Sequence, residues 1–164
     1  VEFKDAPRQS PDIEVNGVPT PIIGPYRNLT EPQDLKPGND FYKTTLDKNG
    51  NLVEQRELIL QTNRNANSGE IHSDLAGFVY PCDKSDPSKM CIEPLILIEG
   101  SPNDADAVQV HHVVRKSDLR CCAWGTNSNA NAVVISRRLN QYFYYKYPSG
   151  AEVTWVNNIP PYTP

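Results

Sequence analysis

The chain has 164 residues, enough for one domain with a substantial core. Its 16 Lys and Arg residues are outnumbered by 20 Asp and Glu residues, and the formal net charge of −4 lacks the concentrated positive charge of a nucleic-acid-binding protein. We therefore exclude a nucleic-acid partner, and because no apolar run approaches the roughly 18 residues of a membrane-spanning helix we predict no transmembrane segment.

Residues 1–38 contain seven prolines and show little hydrophobic periodicity. Because proline restricts its own backbone and that of the preceding residue, such a segment favours extended conformations. We predict that it packs through Ile22, Ile23 and Tyr26 on a single domain formed by residues 39–164. A disordered tail is the alternative.

The triplet Asn28-Leu29-Thr30 is the only N-glycosylation sequon in the chain. It lies in the proline-rich polar stretch, which we expect to be exposed to solvent. The sequence therefore predicts Asn28 as a glycosylation site.

Several short segments in the middle of the chain have the composition of strands. Residues 41–46 and 52–60 flank an Asn-Gly turn, which predicts a hairpin even though the second run is also rich in helix-forming residues. Residues 62–70 have the composition of a loop. Residues 71–80 and the apolar run 95–98 are predicted as further strands.

The four cysteines are Cys82, Cys91, Cys121 and Cys122. A bond between the two neighbouring cysteines would be strained, so we predict that each of them pairs with one of Cys82 and Cys91. The Cys-x2-Cys and His-x3-His spacings of zinc sites are absent. Because disulfides form in oxidising compartments, we expect a secreted or extracellular protein.

The stretch 107–122 contains the clearest strand pattern. Val108 and His112 share one parity, and neighbouring side chains of a strand point to opposite faces. The pattern predicts that His112 faces the core and that His111 faces the other, mostly wetted side. The segment 119–124 is expected to return as the hairpin partner.

Three histidines, His72, His111 and His112, would suffice to bind a catalytic metal. An adjacent pair with a distant third resembles the ligand pattern of the copper-dependent, ascorbate-using monooxygenases. The resemblance ends at the His-His dipeptide, because the chain offers no second set of copper ligands and the strand pattern separates the pair. We therefore predict no metal site and no cofactor.

The last third of the chain is rich in aromatic and β-branched residues, and it predicts strands over 132–139, 141–147 and 152–156. Tyrosine supplies a large rigid contact area with a polar tip, so one face of the aromatic strand is a candidate binding surface. The alternative is that a proline-rich terminal segment covers these rings. The candidate binding residues are Tyr142, Tyr144, Tyr145, Tyr147, Trp155, Arg137 and Arg138.

The sequence lacks the motifs of serine hydrolases, zinc peptidases, phosphate-binding loops and dinucleotide-binding folds. The paired carboxylates of a glycosidase stay open as an alternative among Glu93, Glu99, Asp104 and Asp106, since only their separation in space would reveal them. We otherwise expect a protein without enzymatic activity.

Eight or nine short strands separated by turn signals predict an all-β fold. An antiparallel β-sandwich is the first choice, and a lipocalin-sized β-barrel is the alternative. We predict a secreted protein that binds a protein partner through an aromatic sheet face or through loops. A carbohydrate-binding module and a barrel that carries a small apolar ligand are the alternative functions.

Overall fold

Short strands and helices alternate along the chain. The computed structural model describes residues 13–33, 35, 41–115, 126–144, 146 and 148–164. In chain order the described elements are β1 (Ile13–Val15), β2 (Val18–Thr20), β3 (Thr44–Leu46), β4 (Leu52–Glu54), α1 (Gln55–Ala66), β5 (Val79–Pro81), β6 (Met90–Ile92), β7 (Val108–His112), β8 (Ala132–Ser136), α2 (Arg137–Phe143) and α3 (Gly150–Asn157).

The strands pair into four separate antiparallel sheets of two strands each: β1–β2, β3–β4, β5–β6 and β7–β8. Within the described residues no sheet has a third strand, so neither two stacked sheets nor a closed barrel is formed. The predicted β-sandwich is therefore wrong, and so is the alternative of a barrel. Helices take the place of several strands that the composition had indicated.

Helix α1 replaces most of the strand predicted at 52–60 and part of the loop predicted at 62–70. The Asn-Gly turn does join two strands, but the second of them ends after three residues. The following Gln, Arg, Glu and Leu residues favour a helix, and the buried residues Gln55, Ile59 and Asn63 recur at the spacing of one helix face. Helix propensity and burial of this face outweigh the turn signal.

The strand predicted at 132–139 is confirmed as β8 but ends at Ser136. Helix α2 takes the place of its last residues and of 141–143 in the next predicted strand, and α3 replaces the strand predicted at 152–156. Ser136 caps α2 and Ser149 caps α3, each hydroxyl accepting the backbone N–H three residues later. These caps, together with burial of residues four apart in α2, override the β-propensity of the aromatic run.

The antiparallel pair of strands β7 and β8 forms the centre of the fold. β7 is confirmed as a strand, but its partner is β8, with Val108 opposite Ser136 and His112 opposite Ala132. The predicted partner, 119–124, lies outside the described residues.

Two apolar clusters cover the two faces of the β7–β8 pair. On β8, Val133 and Ile135 pack with residues of α2 and α3, whereas Ala132 and Val134 pack with residues of α1. Successive residues of a strand point to opposite faces, which explains the alternation. The β7–β8 pair is therefore a central layer between α1 on one side and α2 and α3 on the other.

His111 and His112 contact different clusters, as the alternation predicts. The ring of His111 stacks on Phe143 with centroids 5.2 Å apart, and that of His112 stacks on Phe41 at 4.1 Å. The expectation that His111 faces solvent is wrong, since it is only 5% exposed. Helix packing on the second face explains the difference.

The disulfide joins Cys82 to Cys91, so the predicted pairing of these two residues with Cys121 and Cys122 is wrong. Pairing of β5 with β6 brings the two Cα atoms to 5.6 Å, within the usual disulfide range. Cys121 and Cys122 lie outside the described residues.

The strands predicted at 71–80 and 95–98 agree with the structure only in part. Of 71–80, only the end belongs to β5, and 95–98 makes isolated bridges instead of a strand.

Two of the three residues predicted to pack the N-terminal segment on the domain are buried. Ile22 and Tyr26 are fully buried, whereas Ile23 is exposed.

Candidate binding site

A groove of about 740 Å³ lies between the β1–β2 hairpin, helix α3 and the segment that follows α3. No ionisable side chain is found among the described residues that line it. The groove is therefore an uncharged surface depression with both apolar and amide-bearing walls. Its lining residues include Val15, Asn16, Thr154, Trp155, Asn158 and Pro160.

A two-residue turn shapes the hairpin wall of the groove. Asn16 and Gly17 have φ angles of 52° and 78°, which are typical of the primed turns that join short antiparallel strands. The sequence contained this signal, an Asn-Gly pair between apolar residues, but the surrounding prolines led us to predict an extended segment.

The hairpin and α3 share one apolar cluster. Ile13 of β1 and Val153 and Val156 of α3 are buried in it together. At the contact, Gly150 lies so close to the hairpin that an added Cβ would be 3.5 Å from Cγ1 of Val15. Shared packing therefore fixes the two walls relative to each other.

Trp155 is the predicted binding residue that the structure places in the groove. Its side chain is 39% exposed, although Phe78 packs edge-on against it with ring centroids 5.7 Å apart. Gly77 lies near the edge of the indole, where an added Cβ would be 3.9 Å from Cη2. The ring therefore contacts the protein at Phe78 and near Gly77, and it stays partly exposed to solvent.

The other predicted aromatic residues are not brought to the groove. Tyr142 lies on α2, half-buried against Tyr80, with the ammonium of Lys146 4.5 Å from its ring centroid. Tyr144 follows α2 and is 62% exposed. In the described part of the run no aromatic sheet face forms, because Tyr142 and Phe143 belong to helix α2. Tyr145 and Tyr147 lie outside the described residues.

The predicted arginines are engaged elsewhere. Arg138 forms an ion pair with Asp106, and Arg137 donates to the carbonyl oxygen of Asn103 at 3.4 Å. Both side chains lie at the start of α2, whereas the groove is lined by α3 and β1. They contribute no charge to the groove.

Three of the four carboxylates considered for a glycosidase hold structural contacts. Glu93 is buried and accepts hydrogen bonds from the hydroxyls of Ser73 and Ser136, and burial raises the pKa of its carboxyl. Glu99 and Asp106 pair with arginines. These side chains therefore connect elements of the fold.

A buried ion pair between Glu152 and Arg115 connects α3 to the segment that follows β7. The Glu152 carboxylate binds both terminal nitrogens of Arg115, each at 3.1 Å, and lies 3.4 Å from Nε2 of His111. Burial lowers the pKa of His111, and the charge of Arg115 adds to this effect, so the imidazole is neutral near pH 7. Across the described ranges no three His, Cys, Asp or Glu side chains are arranged to hold a metal ion.

Another buried carboxylate, Asp74, joins the two terminal segments to the core. It accepts hydrogen bonds from the hydroxyls of Tyr26 at 2.8 Å and Tyr162 at 2.7 Å and from the backbone N–H of Val134 at 2.7 Å. Because Pro160 lies two residues before Tyr162, this contact also positions one wall of the groove. Sequence reasoning missed Asp74, since nothing in its local pattern marks it as buried.

The polar run 126–131 is entirely buried. The Asn131 amide binds both the backbone N–H and the carbonyl oxygen of Val114, at 2.8 and 3.0 Å. The backbone N–H of Asn129 donates to Glu31 at 2.8 Å. Burial raises the pKa of Glu31 to about 7, opposed by its hydrogen bonds to Asn129 and Ser128.

The β5–β6 hairpin presents a second apolar surface. Val79 and Ile92 are opposite each other in the register and are 52% and 65% exposed, and Met90 on the same face is 52% exposed. None of these three side chains is aromatic, and none of them lines the groove. The groove is the candidate that combines a depression with a partly exposed aromatic ring.

Comparison with protein-family models, curated proteins and solved structures finds no match to this chain. In the parts of the chain that are described, no helix has both the length and the apolar character to cross a membrane.

Proposed function

We propose that this is a secreted protein without enzymatic activity that binds a protein partner, and that the groove beside Trp155 receives an extended, uncharged segment of that partner bearing apolar side chains. One observation carries the proposal: a partly exposed indole that packs against Phe78 lies in a groove whose described lining is uncharged. The Cys82–Cys91 disulfide supports a secreted location, because such bonds persist in oxidising compartments.

The size of the groove suits a short peptide segment. Binding sites for small ligands generally enclose roughly 300–1,000 Å³, and about 740 Å³ accommodates a few side chains of an extended chain. Tryptophan is also enriched among the residues that dominate binding energies, because it offers a large rigid surface. Trp155 therefore has the character of an energetic centre.

The chemistry of the lining selects an uncharged partner. A charge placed in the groove would lose water without gaining an opposite charge, which is costly. The amides of Asn16 and Asn158 and the hydroxyl of Thr154 can instead donate to and accept from peptide backbone groups. Apolar side chains of the partner would pack against Trp155 and Pro160.

A carbohydrate is the second candidate, and the lining favours it less. Sugars carry many hydroxyl groups that lose water on binding and need polar partners. The groove offers three polar side chains, whereas apolar side chains and glycine supply the remaining walls. A peptide with apolar side chains satisfies such a lining more completely.

The test is a selection of random peptides displayed on phage against the oxidised protein. We expect the selected peptides to be uncharged and rich in apolar residues, and to bind Trp155→Ala at least about tenfold more weakly. Tyr42→Ala is the matched control, because Tyr42 is an exposed aromatic residue outside the groove. Thermal unfolding of both variants verifies that they fold.

Three results would contradict the proposal. Selected peptides could be predominantly charged, they could bind Trp155→Ala as tightly as the wild type, or no peptide could be selected. A panel of soluble oligosaccharides is measured alongside, and binding of an oligosaccharide that is lost in Trp155→Ala would support the carbohydrate function instead.

A further inference from the structure

We propose that Asn28 is a modification site that carries an N-linked glycan. The proposal rests on the placement of the one sequon of the chain on a fixed, solvent-facing turn. It does not depend on the groove, but it rests on the secreted location that is part of the proposed function.

The turn that presents Asn28 is held on both sides. Tyr26 is fully buried and Leu29 is 4% exposed, and both belong to the cluster that packs against α1. Within the turn, the backbone N–H of Arg27 donates to Gly24 and that of Leu29 donates to Tyr26, at 3.3 and 3.1 Å. The backbone position of Asn28 is thus fixed by its neighbours.

The side chain of Asn28 itself is exposed and has no hydrogen-bond partner in the described part of the chain. The remaining requirement of the sequon, a hydroxyl two residues later, is met by Thr30, which is also exposed. The backbone carbonyl of Thr30 accepts from Thr45 Oγ1 at 2.7 Å and from Asn129 at 3.0 Å. A glycan on Asn28 would therefore displace none of these contacts.

Other asparagines of the chain serve the opposite role. Asn127, Asn129 and Asn131 are fully buried, and their amides hold the polar run 126–131 in place. Asn127 is followed by a serine at the next position instead of two positions later, so it is not a sequon. The amide of Asn28, in the only sequon of the chain, is by contrast exposed and unengaged.

The modification is a transfer from a lipid-linked oligosaccharide diphosphate. The amide nitrogen Nδ2 of Asn28 forms a bond to the anomeric carbon of the first sugar, and the bond from that carbon to the diphosphate oxygen breaks. The lipid diphosphate leaves as the anion, and the amide nitrogen gives up one proton to a base of the transferase. No oxidation or reduction takes place.

The experiment expresses the full chain behind a secretion signal in eukaryotic cells and measures the intact mass of the secreted protein. We expect a mass above that of the polypeptide, which peptide-N-glycosidase removes while converting Asn28 to Asp. Asn28→Gln and Thr30→Ala lose the added mass, whereas Thr30→Ser, which keeps the hydroxyl, retains it. Asn49→Gln is the control, an exposed asparagine outside any sequon.

Secreted wild-type protein with the bare polypeptide mass would overturn the proposal. So would an added mass that persists in Asn28→Gln, since the sugar would then lie elsewhere. Because Asn28 and Thr30 are exposed, the variants are expected to unfold at the wild-type temperature, which separates loss of the glycan from misfolding.

Discussion

The hydroxyl of Tyr162 donates a hydrogen bond of 2.7 Å to the buried carboxylate of Asp74. The backbone N–H of Tyr162 also donates to the carbonyl oxygen of Pro25 at 2.9 Å, so that the C-terminal segment lies along the N-terminal one. Pro160, two residues before Tyr162, forms part of the groove. The position of one groove wall therefore depends on a carboxylate in the interior.

We expect Tyr162→Phe to loosen the C-terminal segment. The variant keeps the ring, which lies 5.1 Å from that of Tyr26, but loses the hydrogen bond to Asp74. The free energy of unfolding should fall by about 1–2 kcal/mol, and hydrogen exchange should become faster at the backbone amides of Ile159, Tyr162 and Thr163. Tyr42→Phe is the control, and equal exchange rates in Tyr162→Phe and the wild type would contradict this role of the contact.

The buried pair of Glu152 and Arg115 should make a large contribution to stability. Glu152→Gln removes the charge that compensates a mostly buried guanidinium, and breaking such a pair costs about 3–5 kcal/mol. Glu57→Gln is the matched control, because its pair with Arg64 is exposed on the carboxylate side, and such pairs contribute less than about 1 kcal/mol. Urea unfolding of the two variants compares these values, and equal losses would show that burial does not matter here.

Glu31 should make stability depend on pH in a defined direction. Its pKa is raised from 4.5 to about 7 in the folded protein, so the folded state binds the proton more tightly than the unfolded state does. The contribution of the group is therefore fully present below pH of about 4.5 and is lost as the pH rises through about 7. The lowered pKa of His111 has the opposite effect, because it makes the stability increase as the pH rises. The test therefore compares the stability of the wild type with that of a variant that lacks the Glu31 carboxyl.

That difference is the free energy of unfolding of the wild type minus that of Glu31→Gln, measured from pH 4 to pH 8. We expect it to decrease as the pH rises, because glutamine keeps the shape of the side chain without titrating. A difference that stays constant or increases would show that burial does not raise the pKa of Glu31.

The Cys82–Cys91 bond should stabilise the β5–β6 hairpin. The two cysteines are nine residues apart, and closing a loop of this length is worth about 2–3 kcal/mol in the chain-entropy model. We expect the Cys82→Ser, Cys91→Ser double variant to unfold at correspondingly lower urea concentration. A reductant should lower the stability of the wild type toward that of the variant. If the reductant destabilises the variant equally, another bond is responsible.

The two-residue alternation was enough to predict β7 and to separate His111 from His112, because a strand pattern is local. The burial of His111 could not be predicted in this way, since α2 and α3 cover it and their own residues had been interpreted as strands. In that region the serine caps at Ser136 and Ser149 were the missed local signals.

Of the residues that line the candidate groove, only Trp155 was predicted from the sequence. Asn16 and Asn158 lie on opposite ends of the chain and meet only because Ile13 and Val153 share a core. The prediction of the disulfide was wrong for a similar reason. The sequence excluded a bond between Cys121 and Cys122, but the pairing of β5 with β6, which brings Cys82 to Cys91, depends on the fold.

The most direct measurement is nuclear magnetic resonance shift mapping of the labelled, oxidised protein with a selected apolar peptide. The groove proposal predicts that the indole N–H of Trp155 and the amides of Asn16, Thr154 and Asn158 shift, whereas the exposed face of the β5–β6 hairpin does not. Shifts confined to that hairpin, with the indole N–H of Trp155 unchanged, would contradict it.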